Sequence, residues 1–99
     1  MPDTGNKANI LTSAGPKVEV EGASTAVVAE NLAREGLELV NASTASIYLE
    51  LGGAAVLKQG IFLASGGGSW NGMVGPMVWT GSVNAIATAA NSVLTVREV

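Results

Sequence analysis

Gly66-Gly67-Gly68-Ser69 is the stretch that first invites a chemical reading. A glycine-rich loop can cradle phosphate with its backbone N–H groups when a Lys–Ser/Thr pair follows and a helix N-terminus faces the anion. Here Trp70-Asn71-Gly72-Met73 follows, with no lysine and no helical pattern. The glycines therefore read as a hairpin loop that needs positive φ. The carboxylates are Asp3, Glu19, Glu21, Glu30, Glu35, Glu38, Glu50 and Glu98. A glycosidase needs two of them converging across a sugar-sized cleft. Glu19, Glu21, Glu38 and Glu50 instead fall on the polar phase of alternating segments, as side chains on a wetted sheet face do. Calcium held by Glu19 and Glu21 lacks an Asp-rich loop to supply the other ligands.

The chain has neither Cys nor His. Disulfides, Cys/His zinc sites, haem held through His, thiol catalysis and imidazole-based triads are thereby excluded. A nucleophilic serine would have to borrow a lysine base, and Lys58 has Ala55 where a Ser-x-x-Lys pair needs its serine. The expectation is a non-enzymatic protein with no cofactor and no metal. Asn41-Ala42-Ser43 matches the glycosylation sequon, which reads as chance without a secretion signal.

Two groups of residues carry interaction chemistry instead. Trp70, Met73, Met77 and Trp79 cluster around Gly75-Pro76. As core, both indoles would close a sandwich, each N–H bonded near the rim. As interface, a Trp70–Trp79 hairpin with Met73, Pro76 and Met77 would present residue types enriched where proteins meet. Tyr48, on the polar phase of its strand, belongs with them as a residue of a covered outer face, whereas Phe62 reads as core. The second group lies in the first sixteen residues, where Lys7, Asn9, Ile10 and Leu11 include the one strong apolar pair. An arm of that length reaches roughly 50 Å at about 3.3 Å per residue. It reads either as a chain end without fixed structure or as an arm laid on a partner through Ile10-Leu11.

The elements that must position these residues have a period of two. Lys17-Val18-Glu19-Val20-Glu21 alternates, and Ser46-Ile47-Tyr48-Leu49-Glu50-Leu51 alternates more strictly. Further strands are expected at 24–29, 37–41, 61–64, 69–73, 82–87 and 92–99, with turns at Gly22, 42–44, 52–53, 65–68, 74–76, 80–81 and 89–91. Residues 29–33 have some helical character but are too few to stand as a helix. The spacing predicts an all-β fold: a small β-sandwich or jelly-roll-like barrel of seven to nine short, mostly antiparallel strands over residues 17–99, with an extended N-terminal arm at 1–16.

Composition bounds the partners. At 99 residues the chain is one domain. Charged residues make up 13%, against about 25% in an average protein. Either neighbouring subunits cover much of the surface, or the domain is a soluble one of low charge. Lys7, Lys17, Arg34, Lys58 and Arg97 are scattered, so no direct nucleic-acid contact is expected. Met-Pro-Asp-Thr-Gly-Asn-Lys has no apolar h-region and no apolar run approaches the length of a membrane span, so no targeting segment and no membrane partner are expected.

Over residues 31–99 of the 99, the order of features has a counterpart. Arg34-x-Gly-Leu-x-Leu-Val-Asn precedes a polar turn and Ile47-Tyr48-Leu49-x-Leu-Gly. Gly60-Ile61-x-Leu63-Ala64-x-Gly66-Gly67 comes next, then Trp79-Thr80-Gly81-x-Val83-x-Ala85-Ile86-Ala87 and Leu94-Thr95-Val96-x-Glu98. This pattern resembles small β-sandwich virion proteins of tailed bacteriophages, several of them head decoration proteins. The stretch before residue 17 and Val74-Gly75-Pro76-Met77 stand outside it. The resemblance implies a capsid decoration protein on the outer surface of the virion head, made in the host bacterial cytoplasm. Its partners would be the major capsid protein and copies of itself, commonly as a trimer. The trimer contact would then lie at the Trp70–Trp79 hairpin and the capsid contact along Lys7–Leu11. The alternative is a tail- or fibre-associated module binding host carbohydrate or receptor, with Trp70 or Trp79 stacking on sugar rings.

Overall fold

The computed structural model describes residues 17–74 and 77–99. They form eight strands: β1 (Lys17–Val20), β2 (Thr25–Val28), β3 (Gly36–Asn41), β4 (Ile47–Leu51), β5 (Ile61–Leu63), β6 (Ser69–Val74), β7 (Val83–Ala87) and β8 (Ser92–Glu98). The alternation that marks them in sequence is the alternation of their side chains in space. In β4, Ile47 and Leu49 are buried while Tyr48 and Glu50 are half-exposed. In β8, Ser92, Leu94 and Val96 are buried while Val93 and Thr95 are half-exposed. Residues 29–33 make only a turn at Leu32-Ala33, and no helix occurs among the described residues.

The strands pair, all antiparallel, into two four-stranded sheets ordered β1-β8-β3-β6 and β2-β7-β4-β5. Eight strands in that order are the two interlocked Greek keys of a jelly roll. Leu39, Leu94 and Val20 from the first sheet meet Ile47, Leu49, Leu63 and Val83 from the second, all with essentially no exposure. This is the dry layer that holds two sheets face to face. Trp70 and Trp79 pack on its margin.

The topology sorts the connections by length. Segments 21–24, 42–46, 64–68 and 88–91 gather at one end, the short-loop end. Segments 29–35, 52–60 and the β6–β7 connection gather at the other, the long-loop end, where Val99 also finishes the chain. The glycine loop joins β5 of one sheet to β6 of the other, so it is an inter-sheet crossing and not a hairpin. The left-handed φ values expected of it are present, at 73° for Gly66 and 124° for Gly67.

Phe62 departs from its reading as core. In β5, Leu63 points inward and Phe62, its neighbour, must point out. It stands 54% exposed. Its cross-strand partner on that outer face is Tyr48, with ring centroids 5.3 Å apart and tilted by 42°.

Candidate interaction surface

The groups that could do chemistry are tied up in structure. Gly66 and Gly67 donate their N–H groups to the carbonyls of Ser43 and Asn41, and Gly68 donates to Ala64. No cradle of free amides is left for a phosphate. Asn41 is fully buried and donates its side-chain amide to Ala45 O at 2.8 Å and Leu63 O at 3.0 Å, while its Oδ1 accepts from Ser43 N and Oγ. With both amide hydrogens committed inside the fold, the sequon offers no acceptor. Glu19 and Glu21 converge on Asn91, whose amide donates to each, and among the described residues no group of three or more carboxylates could hold a metal ion.

Arg34 is the residue whose role sequence reasoning missed. It appeared as one of five scattered bases, yet it is 3% exposed. Its Nε donates to Glu98 Oε2 at 2.7 Å, Nη1 to Trp79 O at 2.8 Å and Gly81 O at 3.1 Å, and Nη2 to Ala29 O at 2.7 Å. Asn31 adds a bond to the same Glu98 oxygen and takes its own N–H to Thr80 O. One guanidinium thus clamps the 29–35 loop, the stretch before β7 and the end of β8. The planar fork of arginine suits that task, because it presents several donors in fixed directions. Arg34, Trp79-Thr80-Gly81 and Glu98 are far apart in sequence and meet only here, so no local pattern signals the clamp.

Above this clamp the surface changes character. The large apolar side chains exposed among the described residues are Leu32 (79%), Met77 (68%), Val99 (67%), Phe62, Val56 and Leu57. Leu32 and Met77 lie on long-loop connections and Val99 follows β8 at the same end, whereas Val56 and Leu57 lie in the middle of the 52–60 loop and Phe62 stands opposite Tyr48 on the outer sheet face. The short-loop end carries Gly22-Ala23-Ser24, Ser43-Thr44 and Thr88-Ala89-Ala90-Asn91, which are small or polar. Leu32, Met77 and Val99 thus mark the long-loop pole, while Val56, Leu57 and Phe62 lie along the outer face of the second sheet; exposed apolar groups of this kind mark places where something binds.

The 52–60 loop leaves this pole. It folds back over the outer face of the second sheet, where Asn84 Nδ2 donates to Gly53 O and Ala55 N donates to Ser24 Oγ at 2.9 Å. Ile86 faces outward on β7 yet is only 8% exposed beneath it. Val56 and Leu57 are thereby presented to solvent.

The residues proposed from sequence divide accordingly. Trp70 pairs with Leu39 and packs on the core, and Trp79 packs there too, donating its indole N–H to Ser82 O at 3.1 Å. The core reading describes both indoles. One backbone bond joins the two stretches that carry them, Trp79 N donating to Gly72 O at 3.0 Å, although residues 78–80 are irregular and not a strand. Met77 is exposed at the long-loop end, Met73 lies on β6, and Tyr48 is half-buried against Phe62. Pro76 and the Lys7, Asn9, Ile10 and Leu11 stretch lie outside the described residues. Among the described residues no helix is long and apolar enough to cross a membrane. No family model matches the chain, and no curated protein or solved structure matches it significantly.

Proposed function

We propose that this chain is a non-enzymatic virion protein of a tailed bacteriophage, a decoration protein that attaches to the outer surface of the assembled head and stabilises it. The observation that supports this reading is the polarity of the jelly roll's two ends, with Leu32, Met77 and Val99 exposed at the long-loop end and small or polar residues at the other. A protein of that build sits down on one end and shows its short loops to solvent. Its function is thermodynamic. By binding the assembled shell and not free subunits, it stabilises the shell by RT ln(1 + [L]/Kd) at every site. Self-association as a trimer, with Met77 at the contact, would cover part of the same end.

Quantitative mass spectrometry of purified particles, relative to the major capsid protein, tests the reading. Hundreds of copies per particle are expected. A few copies, or none, overturns a shell-wide role.

A second reading has its own observation. Phe62 and Tyr48 form an exposed aromatic pair on the outer face of β4 and β5, and such faces stack on sugar rings. In a tail- or fibre-associated module this pair, and not the core-packed indoles, would be the platform. Calorimetric titration with host polysaccharide decides it: binding abolished by Phe62→Ala supports the module, and no heat of binding removes it.

A further inference from the structure

A polar row crosses three strands on the outer face of the first sheet. Arg97 of β8 stands opposite Glu38 of β3, and Glu38 stands opposite Asn71 of β6. Cross-strand partners share a face, and Trp70, the neighbour of Asn71, packs on the core. Asn71 therefore points outward, and it is exposed. Arg97 Nη1 lies 4.0 Å from Glu38 Oε1. The residue after Asn71 is Gly72, and of the seven asparagines in the chain only this one precedes a glycine.

We propose that Asn71-Gly72 is a self-modification site of the folded chain, at which the asparagine deamidates to aspartate and isoaspartate. The backbone nitrogen of Gly72 attacks Cγ of Asn71 and forms a new N–C bond. The Cγ–Nδ2 bond breaks, and ammonia leaves with the proton given up by the backbone nitrogen. The product is a five-membered succinimide ring, which water then opens. Attack at Cγ gives aspartate, and attack at the backbone carbonyl carbon gives isoaspartate. Water is the only co-reactant, and no oxidant or reductant is needed.

Two features of the fold favour the attack. Gly72 has no Cβ to screen its nitrogen, and packing requires the glycine, since a Cβ there would meet the Trp70 ring at 3.0 Å and Leu37 Cβ at 3.3 Å. The ladder also breaks at this point. Gly36 pairs with Val74 and Glu38 with Asn71, so Gly72 and Met73 together face Leu37. Such a bulge bends its strand and disrupts the local pairing. The bend relaxes the extended geometry that otherwise keeps an asparagine Cγ away from the next backbone nitrogen. Asn31, Asn41, Asn84 and Asn91 precede Leu32, Ala42, Ala85 and Ser92, whose side chains crowd that nitrogen.

The reaction adds one negative charge to a chain whose formal net charge is −3. Aspartate at this position places a carboxylate across from Glu38, and like charges directly opposite weaken a strand pair. Isoaspartate also lengthens the backbone of β6 by one carbon.

Mass spectrometry of the folded full chain, kept warm at mildly alkaline pH, tests the proposal. A one-dalton gain located at residue 71 by electron-transfer fragmentation is expected, with isoaspartate the larger product. It should form about ten-fold or more faster than any gain at Asn84 or Asn91, because only Gly72 leaves the attacking nitrogen unscreened. Asn71→Gln is expected to suppress it. The same chain in urea is the unfolded reference. A gain at residue 71 that appears in urea and not in the folded protein overturns the proposal, and so do equal rates at the three asparagines. Aspartate without isoaspartate rejects the ring mechanism.

Discussion

At the scale of single residues, the fold depends on polar side chains that reach several backbone groups at once. Arg34 is buried with one carboxylate and three carbonyls as partners. Arg34→Met removes every donor and leaves those carbonyls dry, so a loss of about 3–5 kcal/mol is expected in urea unfolding. Glu98→Gln keeps the shape but takes away the counter-charge. Glu98 is 35% exposed, so water replaces part of what is lost. About 1–2 kcal/mol is expected, well short of the arginine variant. Equal losses would mean that the ion pair and not the carbonyl clamp dominates. The clamp was hidden in the sequence for a physical reason. A lone arginine in a polar loop is normally solvated, and its burial follows from three segments meeting, which no local pattern encodes.

At the scale of elements, most strands were legible because a wet face and a dry face impose a period of two. Strands expected at 37–41, 82–87 and 92–99 lie within one residue of β3, β7 and β8. Pairing was not legible. The glycine loop looked like a hairpin because a tight turn between strands has the same local chemistry whether the strands share a sheet or not. Phe62 looked like core because a strand as short as Ile61–Leu63 has too few residues to reveal its phase. The turns also differ in what they demand. Gly60 has φ 84°, and an added Cβ there would overlap the Leu49 carbonyl oxygen; Gly66 has φ 73° with open space around it. Gly60→Ala is expected to cost about 3 kcal/mol or more, and Gly66→Ala about 1 kcal/mol, the left-handed backbone penalty alone. Thermal melts of the two variants check the contrast, and similar melting points would contradict it.

At the scale of the molecule, stability and attachment should separate. Leu32 and Met77 are largely exposed and outside the core cluster, so Leu32→Ser with Met77→Ser is expected to change unfolding free energy by less than about 0.5 kcal/mol per site. The same variant should reduce the copies retained on particles by ten-fold or more. Thr44→Lys, at the opposite pole, should leave retention unchanged. Retention assayed by sedimentation with purified heads distinguishes these outcomes, and loss with Thr44→Lys alone would reverse the orientation.

The position of β8 bears on how the domain folds. This strand lies between β1 and β3 and pairs with both. Lys17 is opposite Thr95, so β1 has no partner in its sheet until a segment far along the chain arrives, and β3 has an open flank until Ser92–Glu98 docks. Pairing of this kind runs on the slower schedule of non-local β contacts, in milliseconds to seconds. Until then the first sheet exposes two strand edges able to pair with other chains.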